Sequence, residues 1–402
     1  MMDRGRWAAV AVAMAAGVVV TAIGSLPSRP TQEASGTGPI VPADDATVVA
    51  VLRTSDQPRS PDLVAALRAT RAAPQDAETA RAAARLLIDE GRSEGDSRLV
   101  GAALGVLRPV MDPPEAETLY LAATARQYQH DFTGAMDLLD RAIALDPRHV
   151  NALLTRATLL MVQGRIGEAQ EQCQALAALR QDVGFLCQST ALIVTPQAPV
   201  VAERLAQIVA HPGLLSSSLE PWAMGLQGEI AMLQGNDAAA RERFEALLAR
   251  DPGSLRERVI LADLLLRAGE PEAVTMLLVD APDTDGVLLR RALAARALDA
   301  PDEAAEATLA DRVRLNRELG LDAHAREDAM YHLLLAGDPG MALDRARANW
   351  ALQHEFEDAQ LLIDAAVAAG APEEAEPVLD WMAQEGIDIP ALRLPDGVRA
   401  AR

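Results

Sequence analysis

Between residues 116 and 183 the apolar positions follow a helical period, and the whole arrangement then returns after 34 residues. In one copy, Leu153, Leu154, Ala157, Leu160 and Met161 recur at spacings of three and four. That spacing places them on one stripe of a helix from about 150 to 163. Gly164 predicts its end, because glycine adopts the left-handed backbone of a tight helix stop at little cost. Ile166, Ala169, Cys173 and Leu176 then mark the apolar stripe of a second helix returning along the first. Laid over the preceding copy, Leu119, Ala123, His130, Ala135, Leu139 and Ala142 meet Leu153, Ala157, Gly164, Ala169, Cys173 and Leu176, each pair 34 apart. The same register carries Gly228, Ala231 and Gly235 onto Ala262, Leu265 and Gly269.

Two further signals keep step with this period. A glycine followed five residues later by alanine recurs as Gly164/Ala169, Gly235/Ala240, Gly337/Ala342 and Gly370/Ala375. The alanine belongs where two paired helices cross most closely, and a larger side chain would part them. Asp146-Pro147 and Asp251-Pro252 close the second helix of their copies, since a residue before proline is biased away from helix. Segments 130–147 and 235–252 resemble the second helix of a tetratricopeptide repeat with its closing proline, and the 34-residue period is that family's. The resemblance covers roughly 74–386 and implies an all-α fold, a right-handed superhelical solenoid of about nine helical hairpins. The expected organisation is a signal peptide or membrane anchor at 1–24, a Pro-rich linker at 25–61 and a divergent helical repeat at 62–115. Two clear units follow at 116–183, a degenerate one at 184–220 and two more units at 221–285. Further degenerate repeats at 286–389 and a tail at 390–402 complete the chain. Departures are expected at an enlarged turn near Gly91 to Ser97, at Pro196 and Pro199, and in an overlong second helix near 302–319.

Composition changes the picture in one respect. The net charge of −21 argues against nucleic acid as a partner, because phosphate binding needs concentrated cations. The N-terminus changes it in another. Arg4 and Arg6 precede an apolar run of 17 residues, Trp7 to Ile23, with Gly24, Ser25 and Pro27 after it. This is the pattern of an export signal, cleaved after Gly24, or of an uncleaved anchor near the lower length limit for spanning. Arginines ahead of the run hold that end in the cytoplasm and send the rest across. The expected location is therefore periplasmic or otherwise extracytoplasmic, with membrane contact only through residues 7–23 if they are retained. Prolines 27, 30, 39, 42, 58 and 61 make the following stretch a tether. The apolar patch Val48 to Leu52 is a candidate to dock on the first repeat.

The chain offers little chemistry. No nucleophile–base pair, phosphate loop or H-E-x-x-H motif can be read in it. His324, Asp328 and His332 share one helical face. Two turns separate the histidines, which is long for one ion, so His332 is read as a packed core residue and His324 as a solvated one. The expectation is no enzyme, no metal and no cofactor. In the repeat register Cys173 falls on a second helix and Cys187 near the start of the next first helix, surfaces that the family packs together. They are either a disulfide or two small buried thiols.

What the resemblance implies instead is a binding groove on the first helices. Its positions map onto Glu117, Tyr120, Thr124 and Tyr128, then Asn151, Leu154 and Thr158, then Trp222 and Glu229, then Arg256 and Asp263. The aromatics are either anchors for a partner or fillers between adjacent repeats. The family's clamp for C-terminal carboxylates needs an asparagine where this chain has Leu121, Thr155, Leu226 and Ile260, so that clamp is not expected. The function this implies is a non-enzymatic extracytoplasmic scaffold docking protein partners in envelope complex assembly. The alternative is a holding factor for exported apoproteins, as in cytochrome or metalloprotein maturation.

Overall fold

A computed structural model describes residues 59–211, 213–318 and 324–394. The export segment, almost all of the linker and the Val48 to Leu52 patch lie outside the described residues. A single leading helix, α1 (Pro61–Ala72), is followed by nine antiparallel hairpins among the described residues. They are α2 (Ala77–Glu94) with α3 (Ser97–Leu107), α4 (Ala116–Tyr128) with α5 (Phe132–Leu145), and α6 (Val150–Val162) with α7 (Ile166–Ala177). Next come α8 (Gln181–Leu192) with α9 (Ala198–Val209), α10 (Glu220–Leu233) with α11 (Asp237–Arg250), and α12 (Leu255–Ala268) with α13 (Pro271–Leu278). The last three are α14 (Asp285–Ala297) with α15 (Glu303–Glu318), α16 (Ala325–Tyr331) with α17 (Pro339–Trp350), and α18 (Phe356–Ala368) with α19 (Glu376–Glu385).

One local device makes most of these turns. The first helix ends in a left-handed residue, and the next N–H closes onto the carbonyl five residues back. Gly164, Gly235 and Gly269 hold that position at φ 73°, 75° and 77°. The closing bonds run from Arg165 to Leu160 at 2.8 Å, Asn236 to Ala231 at 2.8 Å and Glu270 to Leu265 at 3.0 Å. His130 fills the same position at φ 59° without being glycine. The residue after the turn often caps the second helix, as Asp131 does by accepting the Gly134 N–H at 2.9 Å and Asn236 the Ala239 N–H at 3.1 Å. Ala135, Ala169, Ala240 and Ala342 are fully buried where the paired helices cross. Gly228 serves the same purpose from the other side, since a Cβ there would meet the Phe244 ring at 2.8 Å.

The irregular units have identifiable causes. The enlargement expected near Gly91 is an added turn of helix: α2 continues to Glu94, and Gly95 makes the left-handed stop. Gly91 sits inside α2, where a Cβ would lie 2.6 Å from a Val100 methyl of α3. Between α8 and α9 no left-handed residue appears, and Pro199 opens α9 instead. Helix α15 is long, at 16 residues. After α16, residues His332–Ala336 form a π turn, so the closing bond there spans six residues, from Asp338 to His332 at 2.9 Å. The tail is packed as far as it is described, with Ile387, Ile389 and Leu392 buried. Among the described residues no helix is long and apolar enough to cross a membrane.

Candidate functional site

The aromatic groove positions face their own neighbours. Tyr120 lies against His149 with ring centroids 5.3 Å apart. Tyr128 donates its hydroxyl to the Gly91 carbonyl at 3.4 Å, and Trp222 donates its indole N–H to Thr190 Oγ1 at 3.1 Å. All three are partly buried and packed onto apolar clusters between repeats. The hydroxyls of Thr124 and Thr158 donate one turn back, to the carbonyls of Tyr120 and Leu154. Leu154 itself packs on the cluster holding Cys173 and Cys187. Those two cysteines form a disulfide across α7 and α8, with Cα atoms 5.4 Å apart, inside the range a bridge requires.

The charged groove positions are paired. Glu229 accepts from Arg256 at 2.6 Å, and Asp263 takes both arms of Arg290 at 2.9 and 2.7 Å. Glu229 pushes the Arg256 guanidinium further up its scale, and Glu355 and Glu357 of α18 add to that. The first turn of α18 thus belongs to the same electrostatic neighbourhood as α10 and α12. Asp358, buried in that turn, accepts two bonds from Arg326, at 2.6 and 2.8 Å, and one from Asn349 Nδ2 at 2.6 Å. It also accepts the Glu355 N–H at 2.9 Å. Glu355 stays low against the pull of burial, because Arg326 and then Arg256 stabilise its charge. Glu357 is pushed up to about 7 by burial and by Glu355 beside it. Arg326, Arg290, Glu355 and Glu357 were not candidates from the sequence. Their helices lie in repeats too irregular for the 34-residue register to assign them a face.

Glu117 and Asn151 are the two groove positions brought together at an open site. They line a cavity of about 470 Å³ with Glu115, Ala116, Asp146, His149, Val150 and Arg180. The site is made by the N-terminal ends of α4 and α6 and the residue preceding α8. His149 organises it. Its Nδ1 accepts the Ala152 N–H at 3.1 Å, so the hydrogen sits on Nε2 and is donated to Glu117 at 2.9 Å. Glu117 is also held by Arg85 at 2.7 Å, and Arg180 by Asp182 at 2.9 Å. The missed signal was His149 itself, at the residue before α6, which reads in sequence only as a helix-capping position.

His324, Asp328 and His332 do not converge. His324 Nδ1 lies 3.5 Å from Asp285, whereas His332 Nε2 lies 3.3 Å from Asp328, which Arg345 pairs at 2.9 Å. Burial pushes Asp328 up and His332 down. Among the described residues no three or more His, Cys, Asp or Glu side chains form a metal-ligand group.

Residues 127–184 match the family model of the tetratricopeptide repeat. Within that span the repeats are tetratricopeptide repeats. With the same hairpin returning along the chain, the fold is a tetratricopeptide-repeat α-solenoid, an architecture suited to protein–protein interaction. No curated protein sequence matches the chain. Among solved structures, a tetratricopeptide repeat protein from Parabacteroides merdae is similar at 14% identity, over 70% of this chain and 98% of that one, with a TM-score of 0.37. The APC/C hetero-tetramer Cut9–Hcn1 is similar at 12% identity over 80% and 68%, with a TM-score of 0.49. Yeast Tom70 is similar at 11% identity over 80% of each chain, with a TM-score of 0.35.

Proposed function

We propose that this tetratricopeptide-repeat chain is a non-enzymatic scaffold that acts outside the cytoplasm and docks protein partners of the cell envelope. Its N-terminal apolar segment supports the location, as an export signal or an anchor. The observation that carries the binding reading is the cavity shared by Glu117 and Asn151. There, backbone ends of α4 and α6 and charged side chains are presented together on successive first helices. A partner segment lying across these ends would meet hydrogen-bonding groups of both signs at regular spacing.

Affinity capture from envelope extract tests this, with the full chain as bait and a Glu117→Ala/Asn151→Ala/Arg180→Ala bait beside it. One folded protein retained near stoichiometry by the first and lost by the second is expected. A spread of unfolded exported clients would replace the docking scaffold with the holding factor. Equal capture by both baits would move the site away from this cavity.

A further inference from the structure

The segment from His354 to Arg393 reaches back across the array and completes the ends of helices far from it in sequence. Trp381 donates its indole N–H to the Gly164 carbonyl at 2.9 Å, across 217 residues. The N–H groups of His354, Asp388 and Ala391 donate to the carbonyls of Val162, Val194 and Leu233, at 2.7, 2.8 and 3.0 Å. Glu385 accepts the Gly167 N–H at 3.1 Å. Val162 and Leu233 are the last residues of α6 and α10, Val194 follows the end of α8, and Gly167 lies in the first turn of α7. These are groups that a helix end leaves without an intrahelical partner. Repeats that touch only their neighbours would leave them to water.

Apolar packing reinforces the seam. Trp350, His354 and Trp381 form one aromatic group, with centroids 4.2 to 5.9 Å apart. Trp381 and His354 lie so close to Gly164 that a Cβ there would meet the His354 Cβ at 2.8 Å. Trp350, Trp381, Ile387 and Ile389 share one buried cluster with Ile166, Leu186, Leu205 and Leu226.

We propose that residues 354–394 are an intramolecular clasp that holds the superhelix closed, tying the ends of α6, α8 and α10 to the last repeat.

Hydrogen exchange on the full chain, comparing wild type with Trp381→Ala and Trp381→Phe, tests this without a partner. A clasp predicts exchange about tenfold faster in α6 to α8 of Trp381→Ala, as well as in α17 to α19. A smaller increase in the same helices is expected for Trp381→Phe, which keeps a ring and loses the donor. Faster exchange confined to α17 to α19 would overturn the clasp and leave an ordinary nearest-neighbour solenoid. Should Trp381→Ala fail to fold, the double variant Trp381→Phe/Glu385→Gln decides by the same pattern.

Discussion

The turns at Gly164 and Gly235 share a backbone, at φ 73° and 75°, and the same closing hydrogen bond. Their surroundings differ. Gly164 is roofed by His354 and Trp381, whereas a Cβ on Gly235 would meet nothing within 4 Å. The same contrast divides the row of turns more widely. Gly95 is covered by Thr284, while Gly269, Gly337 and Gly370 are open. One motif therefore does two jobs: everywhere it reverses the chain, and on the covered turns it also seats a distant segment. The difference lies in whether side chains of a distant segment pack on the glycine itself, because the α10 end beside Gly235 also receives a distant donor, the Ala391 N–H at its Leu233 carbonyl.

The covered side depends most on the first turn of α18, so the largest expected effect is there. Asp358 collects two bonds from Arg326 and one each from Asn349 and the Glu355 N–H. Asp358→Ala would leave Arg326 without its buried counter-charge, a loss of about 3–5 kcal/mol. Denaturant unfolding checks this. A loss under about 1 kcal/mol would mean that Glu355 alone suffices to hold Arg326, and that this network does not anchor α18.

Next comes a direct test of the paired turns. Gly235→Ala meets only the left-handed backbone, at about 1–2 kcal/mol. Gly164→Ala meets the same strain and also drives a methyl into His354 and Trp381, adding about 1–3 kcal/mol of overpacking. Equal losses in thermal or denaturant melts would erase the distinction between covered and open turns.

The hairpin was legible in sequence because everything in it is local. A left-handed stop selects Gly164, and a close crossing selects Ala169 five residues later. Even His130 could be placed at its turn, by register rather than by type. The seam could not be read this way. Ile387 and Ile389 follow Gly386, the final helix stop, and read only as the last residues of a degenerate repeat. Nothing beside them names the Val194 carbonyl, nearly two hundred residues earlier, as the acceptor for Asp388 (an interaction set by tertiary packing, not by local pattern). The groove was half legible. A periodic pattern assigned Tyr120 and Trp222 to the first helices, but both sides of such a helix hold partly buried residues. It was neighbours such as His149 and Thr190 that decided where the aromatics point.

A smaller effect separates the α18 turn from the rest through pH. The folded value of Glu357, about 7, lies above its ordinary 4.5. Between those values the folded chain keeps a proton that the unfolded chain has released, so stability falls as pH rises through the window and returns as pH falls. Discounted for solvent on this partly exposed face, Glu357→Gln should stabilise at pH 8 by about 1–2 kcal/mol. It should also flatten the pH dependence between 4.5 and 7. Unfolding midpoints for both proteins at pH 5 and pH 8 check it; parallel curves would show that Glu355 and Glu357 do not repel in the folded state.

The smallest effect probes the open turns through residues that stand where glycine is expected. Asp299 holds the left-handed position at φ 55°, and His130 holds it at φ 59°. Asp299 is exposed, so its side chain contributes little there, and glycine would remove the backbone strain. Part of that gain is lost to the greater freedom of glycine in the unfolded chain, leaving about 0.5 kcal/mol of stabilisation for Asp299→Gly. His130 has the same backbone but a different environment: its ring lies 5.4 Å from that of Phe132. Burial pushes its imidazole down. His130→Gly should therefore gain nothing, because relieved strain is offset by the lost packing of its half-buried ring against Phe132. Melting both variants beside wild type measures the difference. A gain of equal size for each would mean that the ring contact at the turn of α4 and α5 contributes nothing to stability.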